Sequence, residues 1–414
     1  MVGSGDRPTR ALSVVTPANP MINSLRIRNF KAIRRADIGL ERLTVIVGPN
    51  ASGKTSILEG LHCLSRLGTD EPNDIFQGKR DPVLILSRSA IGEEIELSCS
   101  AMREGVRIRL SPPPDLPRDS LYSSPTSDEW LFSVEGKEET ETKGDWRPIG
   151  EIPSVVRLFR PSELLRLDPS RMAETSSHVG TRVAADGSGL PSVLAFMALN
   201  RPDDFQIIQQ RLRAVVPTIE RIRFDRTSFR PAASRPRNSS DRHSIVVYGN
   251  DTKISFDEKR KTVIAESVRE TIVFDFNGAR DVPAHSASEG TILVLGLLTV
   301  LMSQGRPDLI LLDDIDRGLH PKAQREVVGL LRTILDQNPE LQIVATTHSP
   351  YLLDHLRPEE VRLTTLGDDG TVSVAGLTDH PDFDKWKDEM APGEMWSLFG
   401  EKWVGELPKN LETK

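Results

Sequence analysis

Eight residues, Gly48-Pro49-Asn50-Ala51-Ser52-Gly53-Lys54-Thr55, constrain this chain more than any other stretch. They fit G-x-x-x-x-G-K-[ST] at every fixed position. The apolar run Leu43 to Val47 precedes them, and a helical pattern from Lys54 to about Leu67 follows. Strand, glycine loop and helix is the context in which backbone N–H groups turn inward on phosphate oxygens, with the positive helix end behind them. Lys54 then faces the β- and γ-phosphates, and the Thr55 hydroxyl is a ligand for Mg²⁺. The expected cofactors are ATP and Mg²⁺, and the expected class is α/β.

Three further segments fall in the order such a site needs. Leu309-Ile310-Leu311-Leu312-Asp313-Asp314 is an apolar run ending in carboxylates, as a buried parallel strand delivers acids to its C-terminal edge. Asp313 is expected to hold the metal through water, and Asp314 to stand where a base polarises the attacking water. Apolar strands often end in Asp, so the motif gains weight only from following a P-loop. Ser286-Ala287-Ser288-Glu289-Gly290-Thr291 opens an apolar helix reaching Met302. Its helix N-terminus suits an anion, and Ser288 suits a plain N-cap equally well. His348, in Val344-Ala345-Thr346-Thr347-His348-Ser349-Pro350, lies just past a strand. It can reach a γ-phosphate or be a satisfied polar residue at a strand end.

Together these motifs resemble the ABC ATPases of the RecF, SMC (structural maintenance of chromosomes) and OLD (overcoming lysogenization defect) group. Leu25-Arg26-Ile27-Arg28-Asn29-Phe30-Lys31 looks like that group's opening strand and NFK turn. Gly318-Leu319-His320-Pro321 and Thr347-His348-Ser349-Pro350 resemble its RecF/OLD side, and Asp186–Leu194 resembles a lid region. The likeness runs from about residue 22 to 376. It implies an ABC-type P-loop fold with a mixed sheet and a helical and β insertion, or lid, between two motif-bearing halves. It also implies that Asn29, Phe30 and Lys31 belong to the nucleotide site. Ser288, Glu289 and Gly290 become the signature motif, which contacts the γ-phosphate held by a second subunit. Gln77 becomes the metal-side glutamine, on the strength only of its place after the first helix; a surface glutamine is the equal alternative. Catalysis falls to Asp314, His348 and Lys54. One departure stands out: the usual Asp-Glu-Pro-Glu reads Asp313-Asp314-Ile315-Asp316. One methylene less withdraws the carboxylate by roughly an ångström, a misplacement that can cost on the order of 100-fold in rate.

The resemblance implies an ATP-gated homodimer, or a higher even oligomer, that controls a separate effector protein, as in antiphage systems. The alternative is a DNA-binding repair ATPase of the RecF/SMC kind. A transporter subunit fits least, because the Gly-Leu-His-Pro and Thr-His-Ser-Pro segments resemble the soluble branch. No heptad run long enough for a coiled coil separates the halves. The forty residues after about 375 are too few for the Toprim nuclease domain of OLD proteins, so an effector is expected in trans.

The organisation expected along the 414 residues is a loose tail over 1–20, an N-terminal ATPase half over 21–110 and a surface insertion over 111–150. A helical lid with a basic stretch over 151–244, a C-terminal ATPase half over 245–376 and a Trp-containing extension over 377–414 complete it. Strands are also expected at Val83–Ser87 and as short pieces through 219–276. With net charge −7 the chain is not coated in nucleic-acid-binding charge. The arginines between 211 and 242 nevertheless leave nucleic acid open as a partner, beside solvated surface as the plain alternative. Cys63 and Cys99 have no zinc-ligand spacing and are expected as reduced cytoplasmic thiols. No apolar run reaches 18 residues, so no membrane span is expected. Trp386, Trp396 and Trp403 are expected to pack a C-terminal helix or to form a docking face.

Overall fold

A computed structural model describes residues 21–87, 90, 92–101, 104–112, 130–138, 147–148, 162–177, 181–229, 248–249, 252–257 and 262–407. The expected tail, most of the 111–150 insertion and the arginines at 230, 235, 237 and 242 lie outside these residues.

The site is organised by a mixed six-stranded sheet. Its strands are β3 (Leu43–Val47), β8 (Glu163–Leu165), β14 (Leu309–Leu312), β15 (Gln342–Thr347), β16 (Val361–Leu366) and β17 (Val372–Gly376). Their order is β17-β16-β3-β15-β14-β8, with only β17 antiparallel to its neighbour. Every residue of β3, β14 and β15 is buried, which is why these strands read as unbroken apolar runs rather than alternating ones. Alternate side chains serve two cores. Val45, Val47, Ile310, Leu312 and Ile343 join one, and Ile46, Leu309, Leu311 and Val344 join the other.

The first core lies under α7 (Glu289–Met302) and α8 (Pro321–Gln337). All eleven residues from Thr291 to Leu301 are buried, so α7 is a central helix with no solvent face. Helices α5 (Leu190–Asn200) and α6 (Pro202–Val215) pack beside it, and the short α4 (Pro169–Ala173) reaches it through Met172. The second core is closed by α1 (Lys54–Arg66) and an antiparallel sheet of β1 (Ser24–Phe30), β2 (Ile33–Gly39), β4 (Ile95–Ala101), β5 (Glu104–Ser111), β6 (Leu131–Glu138) and β7 (Arg147–Pro148). A third sheet holds β9 (Ile219–Phe229), β10 (Tyr248–Gly249), β11 (Thr252–Asp257), β12 (Thr262–Phe276) and β13 (Ala279–Pro283).

Two expectations about strands fail. Val83–Ser87 is not a strand: Pro82–Ile85 is a helical turn, α3, following another at Pro72–Ile75, α2. Asp81 caps α3 by accepting from the Val83 amide, and Pro82 supplies the first helical φ, a start signal that outweighs a short apolar run. In the 219–276 region only β10 and β11 are short, as expected; β9 and β12 are not. β9 and β12 form one long antiparallel ribbon, registered from Ile219 opposite Phe276 to Phe229 opposite Ser267. Its charges pair across the strands: Arg223 bonds Asp275 at 2.7 and 2.9 Å and also holds Asp281, and Arg226 meets Glu270 at 3.2 Å. Two of the five described arginines of the basic stretch, Arg223 and Arg226, are thus neutralised by their own sheet.

The chain continues through α9 (Pro350–Leu353), α10 (Phe383–Trp386), α11 (Pro392–Phe399) and α12 (Lys402–Glu406). Trp386, Trp396 and Trp403 all pack on the first core, as the C-terminal packing alternative requires. Among the described residues no helix is long and apolar enough to cross a membrane. Both cysteines are buried and free, and burial raises both thiols, Cys63 to about 11.

One joint between α1 and β8 predicts a pH dependence. The His62 Nδ1 lies 2.9 Å from the Ser162 hydroxyl, and the Ser162 amide donates to the Ser65 hydroxyl at 3.2 Å. Burial, with Arg80 and Arg66 nearby, pushes the imidazole down to about 4 from its ordinary 6.5. The native state therefore holds His62 neutral while the unfolded chain protonates it first. Stability from this group is complete above pH 6.5 and drains away as pH falls towards 4, by about 3 kcal/mol in all. Urea unfolding at pH 7 and pH 4.5 should show a smaller acid loss in His62→Gln than in the native chain. Equal losses would contradict the assignment.

Candidate nucleotide site

Parallel pairing brings the three expected motifs to one sheet edge. β3 and β15 are in register from Leu43 opposite Ile343 to Val47 opposite Thr347, and β14 runs beside β15 with Leu312 opposite Ala345. The segments that follow the three strands therefore emerge together: 48–55, 313–316 and 348–349.

The loop from Gly48 to Gly53 turns tightly. Ala51 and Gly53 have left-handed φ values of 63° and 87°. A Cβ on Gly48 would lie 2.3 Å from the Thr364 carbonyl oxygen, so only glycine lets the loop pass β16. Pro49, Asn50 and Ala51 are exposed, while Ser52 is buried with its hydroxyl 2.6 Å from that of Thr364. The Lys54 ammonium curls under the loop and donates to the carbonyls of Gly48 at 2.9 Å and Pro49 at 2.8 Å. Burial lowers its pKa, opposed by the charges of Asp314, Asp313 and Asp316.

On the metal side, the Thr55 hydroxyl lies 3.1 and 3.0 Å from the two Asp313 carboxylate oxygens. These are hydrogen bonds between oxygen groups of the kind a hard cation takes, so a Mg²⁺ bound here would find both within reach, Asp313 directly or through water. Among the described residues no cluster of three or more His, Cys, Asp or Glu could hold a metal unaided. A P-loop cation does not need one, because substrate phosphates complete its shell. The residues present thus fit Mg²⁺-ATP: Thr55 and Asp313 are the groups that could hold the metal, and Lys54 with the loop amides those that could hold the phosphates.

Thr346 fixes the acids. Its hydroxyl donates to Asp313 Oδ1 at 2.8 Å and accepts from the Asp314 amide at 2.8 Å. Asp314 has a left-handed φ of 55°, a conformation Asp tolerates better than most residues. Burial first, and the Asp313 charge second, raise its pKa. The His348 Nε2 is 3.6 Å from its Oδ1. Asp316 turns elsewhere, accepting from the Thr347 hydroxyl at 2.7 Å and the His348 amide at 3.2 Å. It orders the histidine turn.

The remaining expected residues divide. Asn29 and Lys31 form a left-handed turn, with φ of 56° and 54°. The Asn29 amide donates to the Glu94 carbonyl at 2.7 Å, and the Phe30 ring is buried in the second core. Lys31 pairs with Glu59 of α1, and burial and Arg166 lower its pKa. Gln77 is exposed, its amide donating to the Asp74 carbonyl at 3.2 Å. The described hydrogen bonds do not join it to Thr55 or Asp313. Ser288 caps α7, accepting from the Thr291 amide at 3.2 Å. A Cβ on Gly290 would lie 2.8 Å from the Gly318 carbonyl oxygen, so the 288–290 segment packs directly on the Gly318-Leu319 loop. Among the described residues no hydrogen bond or ion pair joins 288–290 to the P-loop of the same chain.

Sequence reading missed Arg166, Glu59 and Thr346. Arg166 follows the apolar pair Leu164-Leu165 just as Asp313 follows β14, and that pattern is its one signal.

Fold and site define an ABC-type P-loop ATPase of the RecF/SMC group. The chain belongs to the family described as "AAA domain, putative AbiEii toxin, Type IV TA system", whose model matches residues 43–354. It is 38% identical over 69 residues to Septu protein PtuA of Bacillus thuringiensis, covering 17% of each chain. It is 32% identical over 91 residues to the DNA replication and repair protein RecF of Francisella tularensis subsp. mediasiatica, covering 21% of this chain and 26% of that one. These matches span about a quarter or less of the relatives' lengths. Among solved structures, an SmcHead bound to the C-winged helix domain of ScpA superposes with a TM-score of 0.50 at 15% identity, covering 88% of this chain and 100% of that one. At that identity the likeness concerns the fold alone.

Proposed function

We propose that this chain is an ATP-hydrolysing switch that closes into a head-to-tail dimer and controls a separate effector protein. The observation that carries it is the division of the site. Lys54, Thr55, Asp313, Asp314 and His348 meet at one sheet edge, while among the described residues no hydrogen bond or ion pair joins Ser288, Glu289 or Gly290 to the P-loop of their own chain. A second chain can present its 288–290 segment to the γ-phosphate, so ATP joins the two and hydrolysis releases them. Residues 21–110 and 245–376 act as the two ATPase halves, with the helical segment between them as a lid. The SmcHead neighbour is itself bound to a partner protein, ScpA, which supports a partner here. Antiphage defence is the setting that the OLD-like resemblance implies. The RecF likeness favours DNA as the alternative partner. Against it, Arg223 and Arg226 are already paired with Asp275, Asp281 and Glu270.

A mixing experiment tests the dimer. Ser288→Arg should still bind ATP as a single chain but should not close, because its cation sits where the partner's phosphate docks. Mixed with Lys54→Ala chains it should regain one working site per dimer at most. Ser288→Ala controls for the lost helix cap, expected at about 1 kcal/mol. Normal turnover by Ser288→Arg alone would leave Ser288 as a cap only.

A further inference from the structure

Arg166 stands against the metal side of the site without belonging to any expected motif. β8 pairs with β14 so that Leu165 is opposite Leu312, and the Asp313 amide donates to the Leu165 carbonyl at 2.9 Å. Arg166, the residue that follows β8, is therefore held abreast of Asp313. Its Nε lies 3.2 Å from Asp313 Oδ2 and its Nη2 lies 2.6 Å from Glu59 Oε1. The other Glu59 oxygen holds Lys31. The Arg166 backbone is pinned by its amide to the Ala185 carbonyl at 2.9 Å, whereas its side chain is half exposed. A fixed stem with a solvated head can swing without moving the strand.

We propose that Arg166 is a displaceable counter-cation that competes with the divalent ion for Asp313, and so sets how much Mg²⁺ the site needs. This rests on Thr55 and Asp313 being the metal side. Asp313 Oδ2 bonds both the Thr55 hydroxyl and the Arg166 guanidinium. A divalent cation between Thr55 and Asp313 would lie next to that guanidinium, and like charges at that range repel. Arg166 must then give up Asp313. Glu59 keeps hold of it at the mouth of the site and so eases the exchange.

Two variants should move the Mg²⁺ requirement in opposite directions. Arg166→Ala removes the competitor, and Glu59→Gln leaves the guanidinium with Asp313 as its remaining described acidic partner. The measurement is binding of a fluorescent ADP analogue at a series of buffered free Mg²⁺ concentrations, which needs no turnover. The Mg²⁺ midpoint should fall roughly five-fold in Arg166→Ala, the scale of one half-exposed ion pair. It should rise in Glu59→Gln and stay near the native value in Arg166→Lys, which keeps the charge. The double variant should match Arg166→Ala, because the Glu59 effect runs through Arg166; additive shifts would place that effect on Lys31 instead and overturn the exchange. An unchanged or higher midpoint in Arg166→Ala overturns the proposal. A native chain that binds no analogue at any Mg²⁺ concentration overturns the nucleotide site itself, and the two failures are therefore distinguishable.

Discussion

Lys54→Ala should lower ATP turnover by about two to three orders of magnitude and weaken ATP binding. The size follows from losing one preorganised charge on the transferring phosphate, commonly about 3–4 kcal/mol of transition-state stabilisation. The structure adds a second cost. The Lys54 ammonium ties the carbonyls of Gly48 and Pro49 at 2.9 and 2.8 Å, so alanine also frees the loop that shapes the phosphate cradle. The effect should therefore appear in nucleotide affinity as well as in kcat. It is read from steady-state phosphate release with an unfolding curve alongside to show that the fold persists. Native turnover in Lys54→Ala, free of contaminating ATPase, would remove the P-loop from the account.

Asp314→Asn should retain Mg²⁺-ATP while turnover falls by about 10²–10⁴-fold, the range for losing a positioned base. Asparagine suits this test because it tolerates the left-handed φ of 55° and preserves the side-chain shape. Asp313→Asn should behave differently and raise the Mg²⁺ requirement, since Asp313 faces Thr55. A pH profile separates them further. Burial and the Asp313 charge raise the Asp314 pKa, so the carboxylate form is lost on acidification at a higher pH than for an ordinary aspartate. The acid limb of kcat/KM, which reports the free enzyme, should lie correspondingly high and vanish in Asp314→Asn. Asp314→Glu restores the group's usual residue, and a faster rate would mean that reach limits the native site. Because glutamate is less at ease at positive φ, a large loss would mean that the backbone has adjusted to aspartate. Unchanged hydrolysis in Asp314→Asn would exclude it as the base. Asp316, although engaged with Thr347 and His348, would be the next candidate.

The sequence made the central sheet edge legible because each of its strands is short, buried on both faces and followed at once by polar residues. Gly48–Thr55, Asp313–Asp314 and His348 could be placed on strand ends from that pattern, and parallel pairing brings them together. Pairing across distant segments was not legible. β8 has three residues, too few for a periodicity, and its position beside β14 depends on His62, Ser65 and Ser162 as well as on the sheet. Arg166 therefore carried only the signal of a short apolar pair before it, and Glu59 carried none. At Val83 the apolar run misled, because the Asp-Pro helix start before it prevailed. The long β9–β12 ribbon was read as short strands because its middle contains turn-forming and basic residues.

The most direct test of the nucleotide-gated dimer is the molecular mass of Asp314→Asn in solution, by light scattering, with Mg²⁺-ATP and then with Mg²⁺-ADP. The variant keeps the γ-phosphate in place, so the account predicts twice the single-chain mass with ATP and a single chain with ADP. One mass in both nucleotides, whether single or double, would contradict a dimer joined through the γ-phosphate.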